Sequence, residues 1–177
     1  METIVEAIHY VMSNLRKGTH CPVCGKWCHA DNRRFHKDMG VALVLIKLFF
    51  DKYRSSDWCH VENWLQQVSK MRAPGIDNDT MERFVGRLKS QRMREWSRLK
   101  HWDLLERRPV NPDEVVRGYW RITRLGVDFV NGRLRVPVRK WIFKDSVIDV
   151  SEELVSIHEI LSGPGFTLED LHNLVRP

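Results

Sequence analysis

Nine of the ten residues from Val41 to Phe50 are apolar, with Lys47 the exception. Wound at about 100° per residue, Val41, Ala42, Leu43, Val44, Leu45, Ile46, Leu48, Phe49 and Phe50 leave the helix with almost no polar side. Such a helix must be enclosed by other elements. The run is also too short to cross a bilayer, which takes about 20 residues. It therefore predicts a buried helix over 39–53 with a globular core built around it. The chain is long enough for this. Its 177 residues can supply one substantial core and a small appendage, and 42% apolar content belongs to a folded chain.

The second organising stretch is 81–130. At helical spacing Met81, Phe84, Val85, Leu88, Trp96, Leu99 and Trp102 fall on one side. Arg83, Arg87, Ser90, Gln91, Arg94, Arg98 and His101 fall on nearly the opposite side. The pattern predicts a long α-helix over 80–102, capped by Asp79 or Thr80, with an arginine row pointing away from the core. Leu104–Arg107 and Tyr119–Thr123 read as two strands of a hairpin. The loop between them holds the turn-formers Pro109, Pro112 and Gly118. Upstream, 58–61 reads as a short strand, 62–68 as a helix, and 71–79 as a loop. Cys59 and His60 are adjacent on that strand, so their side chains point to opposite faces and cannot act as a dyad.

The segment 99–126 resembles the winged helix-turn-helix of bacterial regulators of the MarR and PadR type. The matching residues are Leu99, Leu104, Glu106, Arg107, Gly118, Tyr119, Trp120, Arg121, Ile122, Thr123 and Gly126. The resemblance implies a recognition helix, a basic wing, and a threonine that caps the next helix. Asp103 stands where those proteins usually carry the glycine that ends the recognition helix.

The N-terminal segment 2–17 carries Ile4, Ile8, Val11, Met12 and Leu15 at helical spacing, and Gly18 stops it. This helix is read as packing within the chain, with a dimer interface as the alternative. Next comes Cys21-Pro22-Val23-Cys24-Gly25-Lys26. Two cysteines two residues apart can grip one ion from a tight turn, with backbone amides aimed at sulfur. A hairpin with arms at 26–29 and 33–36, turning at Ala30-Asp31-Asn32, would bring Cys28 towards His36. The first choice is therefore a structural zinc on Cys21, Cys24, Cys28 and His36. His29 or Cys59 is the alternative fourth ligand.

After the turn at Asn131-Gly132, 135–143 alternates as a strand, Lys144-Asp145-Ser146 turns it, and 147–150 returns. Ser151-Glu152-Glu153 either caps a short helix or precedes a strand through Val155 and Ile157. A last helix is expected over 168–175. The expected fold class is α+β. Residues 1–38 form an N-terminal helix and zinc-knuckle hairpin, 39–132 a winged helix-turn-helix core, and 133–177 a β-hairpin with a short helix. Taken in order, these segments resemble small uncharacterised proteins encoded by bacteriophages and their hosts. The resemblance implies this architecture and no activity.

Net charge is +6 and the pI about 9.3, a mild excess that permits nucleic-acid binding. The start lacks the basic segment of a signal peptide, so the chain is read as cytoplasmic, in the host if phage-encoded. There, four cysteines argue for metal or free thiols over disulfides. Enzyme classes fare poorly. No glycine precedes Gly25-Lys26 at phosphate-loop spacing, and His158-Glu159 lacks the second histidine of a metalloprotease helix. No carboxylate cluster suits a two-metal nuclease. The expectation is a non-enzymatic regulator of transcription or replication that binds double-stranded DNA. Arg83, Arg87, Gln91, Arg94, Arg98 and His101 would face the major groove, and Arg107, Arg108 and Arg117 would contact backbone from the wing. The alternative is an inhibitor or adaptor that docks the same Arg- and Trp-rich surface on a host protein or ribonucleoprotein, a role to which Asp113 and Glu114 in the wing lend some weight.

Overall fold

The computed structural model describes residues 3–53, 58–60, 64, 66, 91–109 and 118–162. It is a mixed α and β protein. In chain order the first elements are α1 (Ile4–Asn14), β1 (Thr19–His20), β2 (Trp27–Cys28), β3 (Asp31–Arg34), α2 (Lys37–Tyr53) and β4 (Cys59–His60). A 3₁₀ helix (Gln91–Trp102) follows, then β5 (Leu105–Arg107), β6 (Tyr119–Ile122) and α3 (Arg124–Val130). The last are β7 (Val136–Pro137), β8 (Arg139–Phe143), β9 (Ser146–Val150), β10 (Leu154–Val155) and α4 (Ile157–Leu161). Among the described residues no helix is long and apolar enough to cross a membrane.

The chain folds into two compact units, Met1–Arg34 with Pro137–Leu154, and Phe35–Val136 with Val155–Pro177. This division differs from the three consecutive segments read from the sequence, and the cause is one strand. β3 does not turn back on 26–29. It pairs antiparallel with β8, Asp31 opposite Ile142 and Arg34 opposite Arg139. β8 in turn pairs with β9. The N-terminal segment and the C-terminal hairpin therefore share one three-stranded sheet, β3-β8-β9.

In the first unit α1 starts at Thr3, whose hydroxyl accepts from the Glu6 amide while the Glu6 carboxylate accepts from the Thr3 amide. Val11, Leu15 and Ala30 form a small core, with Cys21, Cys28, Trp141, Phe143 and Ile148 packed on it. The Leu15 carbonyl accepts from the Ala30 amide at 2.9 Å and ties the helix end to the strand region. Arg16 lies over the Trp141 ring at 4.0 Å and pairs with Asp149 at 2.7 Å. Trp141 and Asp149 are cross-strand partners, so one guanidinium clips both.

The second unit is built on α2, as the apolar run requires. Ala42, Leu43 and Val44 are fully buried, and Met39, Val41, Leu45, Ile46, Leu48, Phe49 and Phe50 nearly so. They pack in one core with Phe35, Trp64, Trp96, Leu99, Trp102, Phe129, Ile157 and Leu161. Aromatic edges join its parts. Phe35 meets both Trp102 and Phe129 at 5.4 Å, and Trp96 meets Trp120 at 5.0 Å and Trp64 at 5.8 Å. The sheet of this unit runs β4-β6-β5, all antiparallel. Of the two forms expected after Ser151–Glu153, the strand forms, as β10 over Leu154–Val155, but it stops before Ile157, which opens α4; Ser156 and Glu159, not Ser151, cap that helix reciprocally. The helix expected over 168–175 lies outside the described residues.

Residues 91–102 correct the expectation of an α-helix. They wind as a 3₁₀ helix, with three residues per turn. Residues three apart then eclipse, so Trp96, Leu99 and Trp102 stand in one buried column. Glu95, Arg98 and His101 form the neighbouring column. The helix ends at Asp103, which adopts φ 58° and takes the left-handed turn itself.

Candidate functional site

The basic face read from the sequence divides into parts. Arg83, Arg87 and Arg117 lie outside the described residues, as do Asp113 and Glu114 of the wing. Gln91 and Arg94 are placed in the 3₁₀ helix by their backbone alone. Arg98 does not project freely. Its guanidinium donates to Oε1 of Glu95 at 2.6 Å, and Oε2 of the same carboxylate lies 2.6 Å from Nε2 of His36. His101 is half-buried.

Arg107 and Arg108, by contrast, are exposed where β5 enters the loop. The Arg108 guanidinium sits 5.9 Å from the Tyr119 ring, and its amide donates to the Tyr119 carbonyl at 3.0 Å. Glu106 and Arg121 face each other across the β5–β6 pair and form an ion pair. Arg121 also lies over Trp58, 4.5 Å from its ring. The base of this hairpin is fixed by Thr123. Its hydroxyl donates to the Asp103 carbonyl at 2.6 Å and accepts from the Gly126 amide at 3.0 Å. Gly126 has no room for a side chain, because a Cβ there would run into the Leu104 carbonyl. The helix start and the strand are in near backbone contact.

A groove of about 450 Å³ at this base is lined by Lys100, Asp103, Leu105, Glu106, Arg107, Thr123, Arg124 and Leu125. Lys100 and Arg124 were not among the residues singled out from the sequence. Arg124 carried a readable signal, since it directly follows the capping threonine. Lys100 did not, because its place depends on the 3₁₀ winding. The groove mixes three cations, Lys100, Arg107 and Arg124, with two carboxylates, Asp103 and Glu106.

The cysteines are arranged as follows. The Cys21 carbonyl accepts from the Gly25 amide, and the Cys21 amide donates to the Lys26 carbonyl, both at 2.8 Å. Gly25, at φ 67°, allows the fold-back. Amide N–H groups of Cys24 and Val23, with the Cys24 thiol, point at the Cys21 sulfur and hold its pKa below that of an ordinary thiol. This is the tight turn that the CxxCG spacing predicts. Among the described residues the four expected ligands are not grouped together. Since β2 pairs with β1, Cys28 opposite Thr19, the hairpin meant to carry Cys28 to His36 does not form. The Cys28 thiol instead donates to the Lys26 carbonyl at 3.6 Å. His36 belongs to the second unit and is engaged by Glu95. His29 is exposed and faces Asp31 at 3.6 Å. Cys59 packs on the second unit's core, where burial pushes its thiol pKa up. The His60 ring meets the Tyr119 ring edge to face, centroids 5.1 Å apart, so Cys59 and His60 serve different contacts. Among the described residues no three of His, Cys, Asp and Glu are grouped as a metal ion requires.

Compared with protein-family models, curated proteins and solved structures, the chain matches none.

Proposed function

We propose that the second unit is a winged helix-turn-helix that binds double-stranded DNA, with residues 80–102 facing the major groove and 107–118 as the wing. The carrying observation is the strand order β4-β6-β5. In a winged helix a short strand after the first helix pairs with the far arm of the wing hairpin, and that arm pairs with the near one. Here β4 follows the buried α2 and pairs with β6, and β6 pairs with β5. The exposed Arg107 and Arg108 at the wing's near end, with Lys100 and Arg124 at its base, suit phosphate contacts. Arg98 is better read as a structural residue of the helix, because its guanidinium is already committed to Glu95.

The alternative, an adaptor that docks on a protein or ribonucleoprotein, draws on Asp103 and Glu106 in the same groove, since carboxylates repel phosphate. Fluorescence anisotropy with a labelled random-sequence duplex separates the two readings. The DNA reading expects saturable binding in the micromolar range at low salt. No binding at about 20 mM salt and about 100 μM protein would reject it in favour of a protein partner.

A further inference from the structure

The turn closed by the Gly25 amide on the Cys21 carbonyl and by the Cys21 amide on the Lys26 carbonyl brings the Cys21 and Cys24 thiols to one groove. Zinc requires four ligands, arranged tetrahedrally at about 2.3 Å from sulfur. Cys28 turns its thiol to the Lys26 carbonyl, and among the described residues no third His, Cys, Asp or Glu is grouped with the two as a metal ion requires. The site is therefore a half-site, and it is open: Cys24 is exposed, as is Val23 between the two cysteines, at 63%.

Its surroundings are those of an interface. Ile4 and Ile8 of α1, 71% and 58% exposed, and Trp27, 58% exposed, line one groove of about 590 Å³ together with Cys21, Cys24 and Cys28. The α1 stripe read from the sequence is thus only partly used within the chain, since Val11 and Leu15 are buried while Ile4 and Ile8 face outward. Large apolar side chains clustered around two metal-competent thiols call for a cover that brings both apolar surface and ligands.

We propose that Cys21 and Cys24 form half of a four-thiolate zinc site that a second copy of this chain completes. A second copy is the occupant that meets both needs at once. It brings two more thiolates in the same knuckle geometry and an identical apolar rim, as a two-fold interface does. Charge agrees. Four thiols lose four protons to solvent and bind one Zn²⁺, leaving a net charge of −2. Lys26 and Lys144 line the same groove, so each copy brings two ammonium groups to the face that would carry that charge. The proposal concerns the first unit and stands whether or not the second unit binds DNA.

The test uses the full chain purified reduced, with zinc measured by atomic emission and mass by light scattering. The expected result is one zinc per two chains and a particle of twice the 21.0 kDa chain mass. A chelator should return it to monomer, and added zinc alone should restore the dimer. Cys28→Ser should keep both zinc and dimer, whereas Cys21→Ser/Cys24→Ser should lose both. Ile8→Asp leaves the knuckle intact and should weaken the dimer at least tenfold in Kd, which guards against a cysteine variant that merely unfolds. One zinc in a monomer, a dimer indifferent to chelator, or a reduced chain that takes up no zinc would each overturn the proposal.

Discussion

Nε2 of His36 lies 2.6 Å from Oε2 of Glu95, 59 positions along the chain. The contact joins the residue before α2 to the 3₁₀ helix, and the other oxygen of Glu95 holds Arg98. It makes His36 a structural partner within the second unit. His36→Ala should therefore leave bound zinc unchanged. It should also lower stability by about 1 kcal/mol, as expected for one half-exposed charge-assisted hydrogen bond. Metal analysis and denaturant titration of the variant check both parts. Loss of zinc would restore His36 as a ligand.

Asp103 occupies the left-handed turn that ends the 3₁₀ helix. An L-residue is strained there and glycine is not, so Asp103→Gly should raise stability by about 0.5–1 kcal/mol. An unchanged or lower unfolding midpoint would mean that the aspartate side chain contributes more than its backbone costs.

The buried column and the exposed wing should respond oppositely. Leu99 is fully buried, so Leu99→Ala should cost about 2–5 kcal/mol through the cavity it leaves. Arg107 is exposed, and Arg107→Ala should change stability by no more than about 0.5 kcal/mol. Thermal denaturation of the two variants side by side makes the comparison.

Much of this was legible in the sequence where local pattern decides structure. The apolar run at 41–50 could only be a buried helix, and the CxxCG spacing pointed to the tight turn. The Tyr119–Ile122 strand followed from its residue pattern, and the Thr123 cap from the resemblance to winged helices. Three features were not legible. The pairing of Asp31–Arg34 with Arg139–Phe143 joins segments more than 100 positions apart, and nothing in a charged four-residue strand names its partner. The 3₁₀ winding was hidden because apolar residues at 96, 99 and 102 fit a three-residue period as well as an α-helical one. The Arg98–Glu95 pair was hidden because a carboxylate three residues earlier reads equally as part of a solvated face.

α4 depends on a reciprocal cap whose carboxylate titrates. Backbone and hydroxyl hydrogen bonds from Ser156, with Arg135 nearby, hold the Glu159 pKa below its ordinary value. A depressed folded-state pKa means that the contribution is complete above the unfolded-state value and is lost as pH falls through the lowered one. Glu159→Ala should therefore be less stable than the parent at pH 7, with the gap closing as pH falls below the ordinary glutamate range. Unfolding midpoints at pH 7, 5 and 3 test this. A gap independent of pH would assign the effect to packing and not to the charge.

The central claim, that the second unit binds duplex DNA with its wing on phosphate, is tested most directly by the salt dependence of binding. Affinity of the parent and of Arg107→Ala/Arg108→Ala for one random-sequence duplex should be measured from about 20 to about 200 mM salt. Each phosphate contact contributes roughly one to the slope of log affinity against log salt. A steep negative slope is expected for the parent and one shallower by about two for the double variant, with unchanged folding. Equal slopes for the two proteins would contradict the claim.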